Sequence, residues 1–101
     1  MNRQALNMLG LCQRAGRLVS GEQAVLNAIR RGTARLVIVD ASASANTQKM
    51  FSDSCAYYDV ERLQAPEDTL GAAIGKPGRK VAAVTDDGFA GSIQKLTSRE
   101  A

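Results

Sequence analysis

Two four-residue runs, Leu36-Val37-Ile38-Val39 and Val81-Ala82-Ala83-Val84, are apolar with no polar alternation. A strand that shows one face to water alternates, so a run that does not alternate must be covered on both faces. Both runs therefore belong at the centre of a sheet with helices above and below it. The segments around them supply such helices. Ala5, Met8, Leu9 and Cys12 repeat at i, i+3, i+4 and i+7, with Asn2 placed to cap the start and Gly16 suited to the C′ position. Arg17 to Val19 reads as a short extended link. Ser20-Gly21-Glu22-Gln23 reads as a capping box, with Ser20 at N-cap and Gln23 at N3. It opens a second helix whose buried face is Ala24, Val25, Ala28 and Ile29. Arg30 and Arg31 fall in its last turn, where cations favour the helix dipole, and Gly32 ends it.

After the first central run, Asp40 to Ala43 makes a turn. A third helix can run from Ser44 to about Tyr58, with Thr47, Met50, Phe51, Cys55 and Tyr58 near one side. Val60 to Leu63 is a short strand. Pro66 at N1, with Glu67 and Asp68 in the first turn, opens a fourth helix that holds Leu70, Ala73 and Ile74 and closes at Gly75. Lys76 to Lys80 is a turn. Beyond Val84, Thr85 or Asp86 can cap a last helix spaced by Phe89, Ile93 and Leu96. Helices and strands alternating over short connections predict an α/β chain folded as a three-layer α/β/α sandwich. With 101 residues there is room for one core, so a single domain is expected over 1–101.

The absence of histidine removes Ser/His/Asp and Cys/His nucleophile pairs and imidazole metal sites together. Cys12 and Cys55 are far apart and lack Cys-x-x-Cys spacing, so they read as reduced core residues of a cytoplasmic protein. The apolar runs are short and the start, Met1-Asn2-Arg3-Gln4, has no signal-peptide core. No membrane association is therefore expected. Gly71 to Pro77 comes close to a phosphate loop, but it is one residue short, has proline at the hydroxyl position and follows a helix rather than a strand. The side chains of Asp86 and Asp87 diverge as neighbours do, which favours helix capping over a metal pair. Asp40, at the C-terminal end of a central strand, is expected to serve a turn or a cap. No cofactor is indicated.

Charge is more informative. The net charge is only +3, yet the first 35 residues hold six arginines against one glutamate, Leu36 to Gly75 carries −4, and the remainder carries +2 with Arg99 and Glu100 included. Arginines outnumber lysines nine to four, which suits phosphate recognition. Gly21 to Asn27 places free backbone N–H groups and amide side chains at a helix start within the basic first third, where phosphate or base edges can dock. Gly75 to Lys80 forms a second basic loop. Aromatic residues are only 4% of the chain, so a base-stacking platform is not supported.

Several segments are familiar in order and spacing: Leu9 to Glu22 (LGLCQRAGRLVSGE), Ala28 to Val39 (AIRRGTARLVIV), Asp40 to Thr47, Leu70 to Arg79 (LGAAIGKPGR) and Val81 to Phe89 (VAAVTDDGF). Together they resemble the kink-turn RNA-binding ribosomal protein superfamily of the L-seven-Ae and L-thirty-e type, and within it the bacterial YlxQ-like branch. The resemblance implies an L-thirty-e-like sandwich around a central mixed four-stranded sheet. It also implies non-catalytic binding of structured RNA, with ribosomal RNA the candidate partner, through Gly21, Glu22, Gln23, Asn27 and Arg30 and through Lys76, Pro77, Gly78, Arg79 and Lys80. In such a fold Arg14, Arg17, Arg30, Lys76, Arg79 and Lys80 are expected to face one basic surface. Kink-turn binders of this superfamily read guanines with an Asn-Glu pair and a Lys one turn later, where this chain has Gln23, Ala24 and Asn27. Alanine cannot accept from a guanine N–H and asparagine brings no charge, so weaker kink-turn selectivity is expected. The rival readings are a protein-interaction module that kept the fold and lost RNA binding, and a small-ligand or enzyme domain built on Asp40 or Asp86-Asp87.

Overall fold

A computed structural model of the chain describes residues 1–98, so Arg99 and Glu100, counted above in the last basic stretch, lie outside the described residues. The elements are α1 (Arg3–Arg14), β1 (Leu18–Ser20), α2 (Glu22–Arg31), β2 (Leu36–Asp40), α3 (Ala45–Tyr58), β3 (Arg62–Ala65), α4 (Leu70–Ala73), β4 (Val81–Val84) and α5 (Asp87–Ser98). The sheet order is β1-β4-β2-β3. β4 runs antiparallel to both β1 and β2, and β3 runs parallel to β2, so the sheet is mixed.

The two non-alternating runs are the two central strands, and their faces divide as a pleat requires. Leu36, Ile38, Ala82 and Val84 pack with Leu9 and Cys12 of α1, Leu70 of α4 and Ile93 of α5. Val37, Val39, Val81 and Ala83 pack with Val25 and Ile29 of α2 and Phe51 and Cys55 of α3. Three helices cover one face and two the other, which gives the α/β/α sandwich. The caps of α1 are those read from the sequence: the Asn2 side chain accepts from Ala5 N at 2.8 Å, and Gly16 follows in the left-handed region at φ 72°.

Several local readings are corrected, most of them by longer-range demands. Arg17 to Val19 is no mere link, because Leu18–Ser20 pairs with β4, Ser20 opposite Ala82. Since the ladder takes Ser20, the capping box does not form. Gly21 is the N-cap at φ 96°, with no side-chain cap bond, and Ala24 is exposed rather than buried. β3 begins at Arg62, not Val60, because Val60 N still closes α3 by donating to Cys55 O at 2.9 Å. Tyr58 at the end of α3 is exposed. Finally, Pro66 to Thr69 is a turn, and α4 starts only at Leu70 because Asp68 stands in the left-handed region at φ 58°.

Asp40 explains that late start. Its fully buried carboxylate accepts from Asp68 N at 2.9 Å, Thr69 N at 3.1 Å and Leu70 N at 3.0 Å, so a residue of β2 caps α4 from across the fold. Ser42 adds its N–H at 2.9 Å and its hydroxyl at 2.6 Å. Burial alone would raise the carboxyl, but these donors outweigh it and hold the pKa at about 2. A folded value below the unfolded one of about 3.9 gives stability that is present above pH ~4 and lost as pH falls through the folded value. Asp40→Ala, which strands five donors, is therefore expected to lower the unfolding free energy by roughly 3 kcal/mol or more in urea titrations. Asp40→Asn should cost less and should remove about 2 kcal/mol of the wild-type loss of stability between pH 4 and 2. An acid titration of Asp40→Asn that parallels the wild type would show that this carboxylate carries no such term.

Candidate nucleic-acid interface

The ladder that places Ser20 opposite Ala82 brings the start of α2 beside the end of the 76–80 loop. Gly21 N donates to Val81 O at 3.0 Å, and the Arg79 guanidinium donates from Nη1 to Ser20 O at 3.2 Å. Gly21 is required by its positive φ of 96°, and a Cβ there would also push the Arg79 guanidinium off its present position. On its other side the loop rests on α4. A Cβ on Gly71 would stand 2.9 Å from Lys76 O and 3.1 Å from Gly78 N, and Lys76 N donates to Gly71 O at 2.9 Å. The basic loop is thus clamped between two helices at positions where neither offers a side chain.

Its three cations differ. Lys80 is tied into the fold: Lys80 O accepts from Asp40 N at 2.8 Å, and Nζ donates to Ser42 Oγ at 2.6 Å and to Asp68 Oδ1 at 3.0 Å. Among the described residues neither Lys76 nor Arg79 is ion-paired, and both are exposed. In the first turn of α2, Glu22 accepts from the Thr47 hydroxyl at 3.0 Å, which joins it to the Ser44-capped start of α3. Gln23 donates to Asn27 Oδ1 at 3.1 Å. Gln23, Asn27 and Arg30 stand at i, i+4 and i+7 on one face, so the stripe runs roughly 10 Å away from the loop along the helix. Gly21, Glu22, Gln23, Lys76, Pro77, Gly78, Arg79 and Lys80 therefore form one neighbourhood, and Asn27 and Arg30 extend it.

Of the other basic residues expected on this surface, Arg14 lines a groove of about 510 Å³ between α1 and the end of α4, shared with Leu11 and Gly75. Arg17 is elsewhere: its carbonyl accepts from Thr85 N at 2.9 Å, at the end of β1 opposite Ser20. The six cations do not all converge, because the strand between Arg17 and Ser20 carries the chain across the sheet.

The two carboxylate alternatives are occupied by structural work. Asp40 spends its oxygens on four backbone N–H groups and the Ser42 hydroxyl, Asp86 caps α5 by accepting from Phe89 N at 2.9 Å, and Asp87 pairs with Arg35 at 3.4 Å. Both cysteines are buried and free, and burial raises the Cys12 thiol to about 11. Among the described residues no group of three or more acidic or cysteine side chains gathers as for a metal ion. Sequence reasoning missed Gly71, Ser42 and Asp68 as neighbours of the loop. No local signal marks them, since each acts on a residue remote in the chain.

Against known proteins, residues 3–93 match the model of the ribosomal protein L7Ae/L30e/S12e/Gadd45 family. The chain is 44% identical over 90 residues to the RNA-binding protein YlxQ of Bacillus subtilis (strain 168), covering 88% of this chain and 90% of that one. It is 41% identical over 97 residues to the RNA-binding protein YlxQ of Enterococcus faecium, covering 94% and 93%. Among solved structures, a Bacillus halodurans protein of unknown function superimposes with a TM-score of 0.90 at 35% identity, over 96% of this chain and 99% of that one. The Giardia lamblia 15.5kD RNA binding protein superimposes with a TM-score of 0.80 at 20% identity, over 98% and 89%, which speaks for the fold alone. The family model spans nearly the whole described sandwich, and this chain belongs to the ribosomal protein L7Ae/L30e/S12e/Gadd45 family.

Proposed function

We propose that the protein binds structured RNA without covalent chemistry, holding a kinked internal loop between the start of α2 and the 76–80 loop. The observation that carries this reading is the Arg79 bond to Ser20, which makes the open N–H groups of a helix start and a basic loop into one surface. Family membership and the two YlxQ relatives, both described as RNA-binding proteins, support binding rather than catalysis. Ribosomal RNA in the cytoplasm is the partner the family suggests. Among the described residues no helix is long and apolar enough to cross a membrane.

Recognition of this kind divides into phosphate contacts, which position, and base contacts, which specify. Lys76 and Arg79 supply the first. Alanine at either is expected to weaken binding to every RNA alike and to lower the slope of log K against log salt by ~1. Unchanged affinity and slope in both variants would exclude the loop from the interface. The second contribution rests on α2, where Gln23 offers an amide but Ala24 offers no acceptor and Asn27 no charge. Ala24 is exposed, so a longer side chain can be placed there without disturbing the core. Ala24→Glu with Asn27→Lys is therefore expected to sharpen the preference for a kink-turn RNA over a plain duplex by at least ~1 kcal/mol. Nanomolar kink-turn binding by the wild type that survives Gln23→Ala unchanged would place base reading elsewhere.

A further inference from the structure

We propose that Asp68 determines how strongly this surface takes RNA, by serving the Lys80 ammonium as its resident anion in place of a phosphate. The inference rests on the RNA-binding reading and adds a residue that opposes it. Lys80 has three N–H donors, and two are spent, on Ser42 Oγ at 2.6 Å and Asp68 Oδ1 at 3.0 Å. The Asp68 side chain is 77% exposed against 36% for Lys80, so the carboxylate is the outer member of the pair and meets an approaching strand first. The hydrogen bond to Lys80 holds the Asp68 carboxyl below the usual carboxylate range, and the same bond raises Lys80. At neutral pH the two are therefore an ion pair with no net charge.

Asp68 is not there by accident of a floppy loop. Its N–H donates to the buried Asp40 carboxylate, and that bond fixes its backbone in the left-handed region at φ 58°. Aspartate and asparagine are the side chains that tolerate this conformation best after glycine. Lys80 is fixed as well, through its carbonyl bonded to Asp40 N. One buried residue thus sets both partners face to face at the edge of the basic loop.

The consequence is electrostatic. A cation already neutralised releases few counterions when phosphate arrives, so Lys80 adds little to the salt-dependent part of binding, which Lys76 and Arg79 carry. A phosphate contact withheld in this way is lost alike by a plain duplex and by an RNA that also engages the start of α2, so both are weakened by a similar factor. The pair therefore lowers affinity and its salt dependence together.

The test compares wild type, Asp68→Asn, Lys80→Ala, the double variant and Arg79→Ala in binding to a kink-turn hairpin and to a plain RNA duplex between 50 and 200 mM KCl. Asn keeps the φ and the backbone bond to Asp40, and equal thermal unfolding would verify that the fold is kept. Asp68→Asn is expected to bind both RNAs tighter, by about three- to tenfold at 50 mM, with a slope steeper by ~1. That gain should vanish in the double variant, and Lys80→Ala alone, which leaves the exposed Asp68 carboxylate unpaired, should weaken binding to both RNAs. Unchanged or weaker binding by Asp68→Asn, while Arg79→Ala still weakens the wild type, overturns the role of Asp68 and leaves the RNA-binding reading standing. Wild-type binding that is indifferent to salt and to Arg79→Ala overturns both.

Discussion

The carboxylate of Asp40 is the point at which sheet, helix and loop are held together. It closes β2 and caps α4 through three backbone N–H groups. Its own N–H donates to the Lys80 carbonyl. A buried charge is expensive unless its lone pairs are filled, and here five donors fill them. The geometry then propagates: with α4 fixed at Leu70, Gly71 comes under the 76–80 loop and its bare Cα accepts Lys76 and Gly78 at close range. An apolar residue at position 40 could fill the same volume, but it would leave the start of α4 uncapped and the loop without its seat.

The two-sided core sets how closely the helices approach that frame. Ala82 and Ala83 put small side chains on opposite faces of β4, while the larger Leu36, Val37, Ile38 and Val39 fill both faces beside it. On the α1 side the fit is close enough that a Cβ on Gly10 would stand 2.8 Å from Ala73 O. Gly10 and Gly71 thus act in series, one letting α1 onto α4 and the other letting the basic loop onto α4. Cys12 belongs to the same packing: its thiol donates to Arg17 O at 3.2 Å, and burial keeps it neutral. Both cysteines are structural, and nothing nucleophilic results from them.

What could be read from the sequence was whatever local chemistry decides. The central strands were legible because non-alternating apolar runs have one sensible location, and α1 was legible because both caps and its stripe lie within one window. β1 was not, since Leu18-Val19-Ser20 has no pattern of its own and becomes a strand only by pairing with β4. The capping box failed for the same reason: Ser20 has two possible tasks, and a ladder across the sheet outbids a cap. In α4 the proline and acidic residues matched a helix start, but the N–H groups of residues 68–70 had a better acceptor in Asp40, 28 to 30 positions away. Of the candidate interface, its basic and glycine-bearing halves were visible in charge and composition. The clamp on Gly71 and the pairing of Asp68 with Lys80 were not, because each joins residues from different segments.

The fold also rearranges the charge that the sequence segregates. The acidic middle segment does not stay wholly apart from the basic loop, because the turn before α4 carries Asp68 to Lys80. The aromatic residues stay away from this surface. Phe51 is buried in the α2 and α3 layer, and Phe89 follows the Asp86 cap at the far end of β4. Tyr57 and Tyr58 form an edge-to-face pair 4.9 Å apart at the end of α3, roughly 20 Å along that helix from its capped start. Among the described residues no ring stands at this surface to stack on a base, so its donors are backbone N–H groups, amides and cations. In the proposed role those groups would read the course of a phosphate backbone and the edges of bases already exposed by it, which suits an RNA whose own fold supplies the bend.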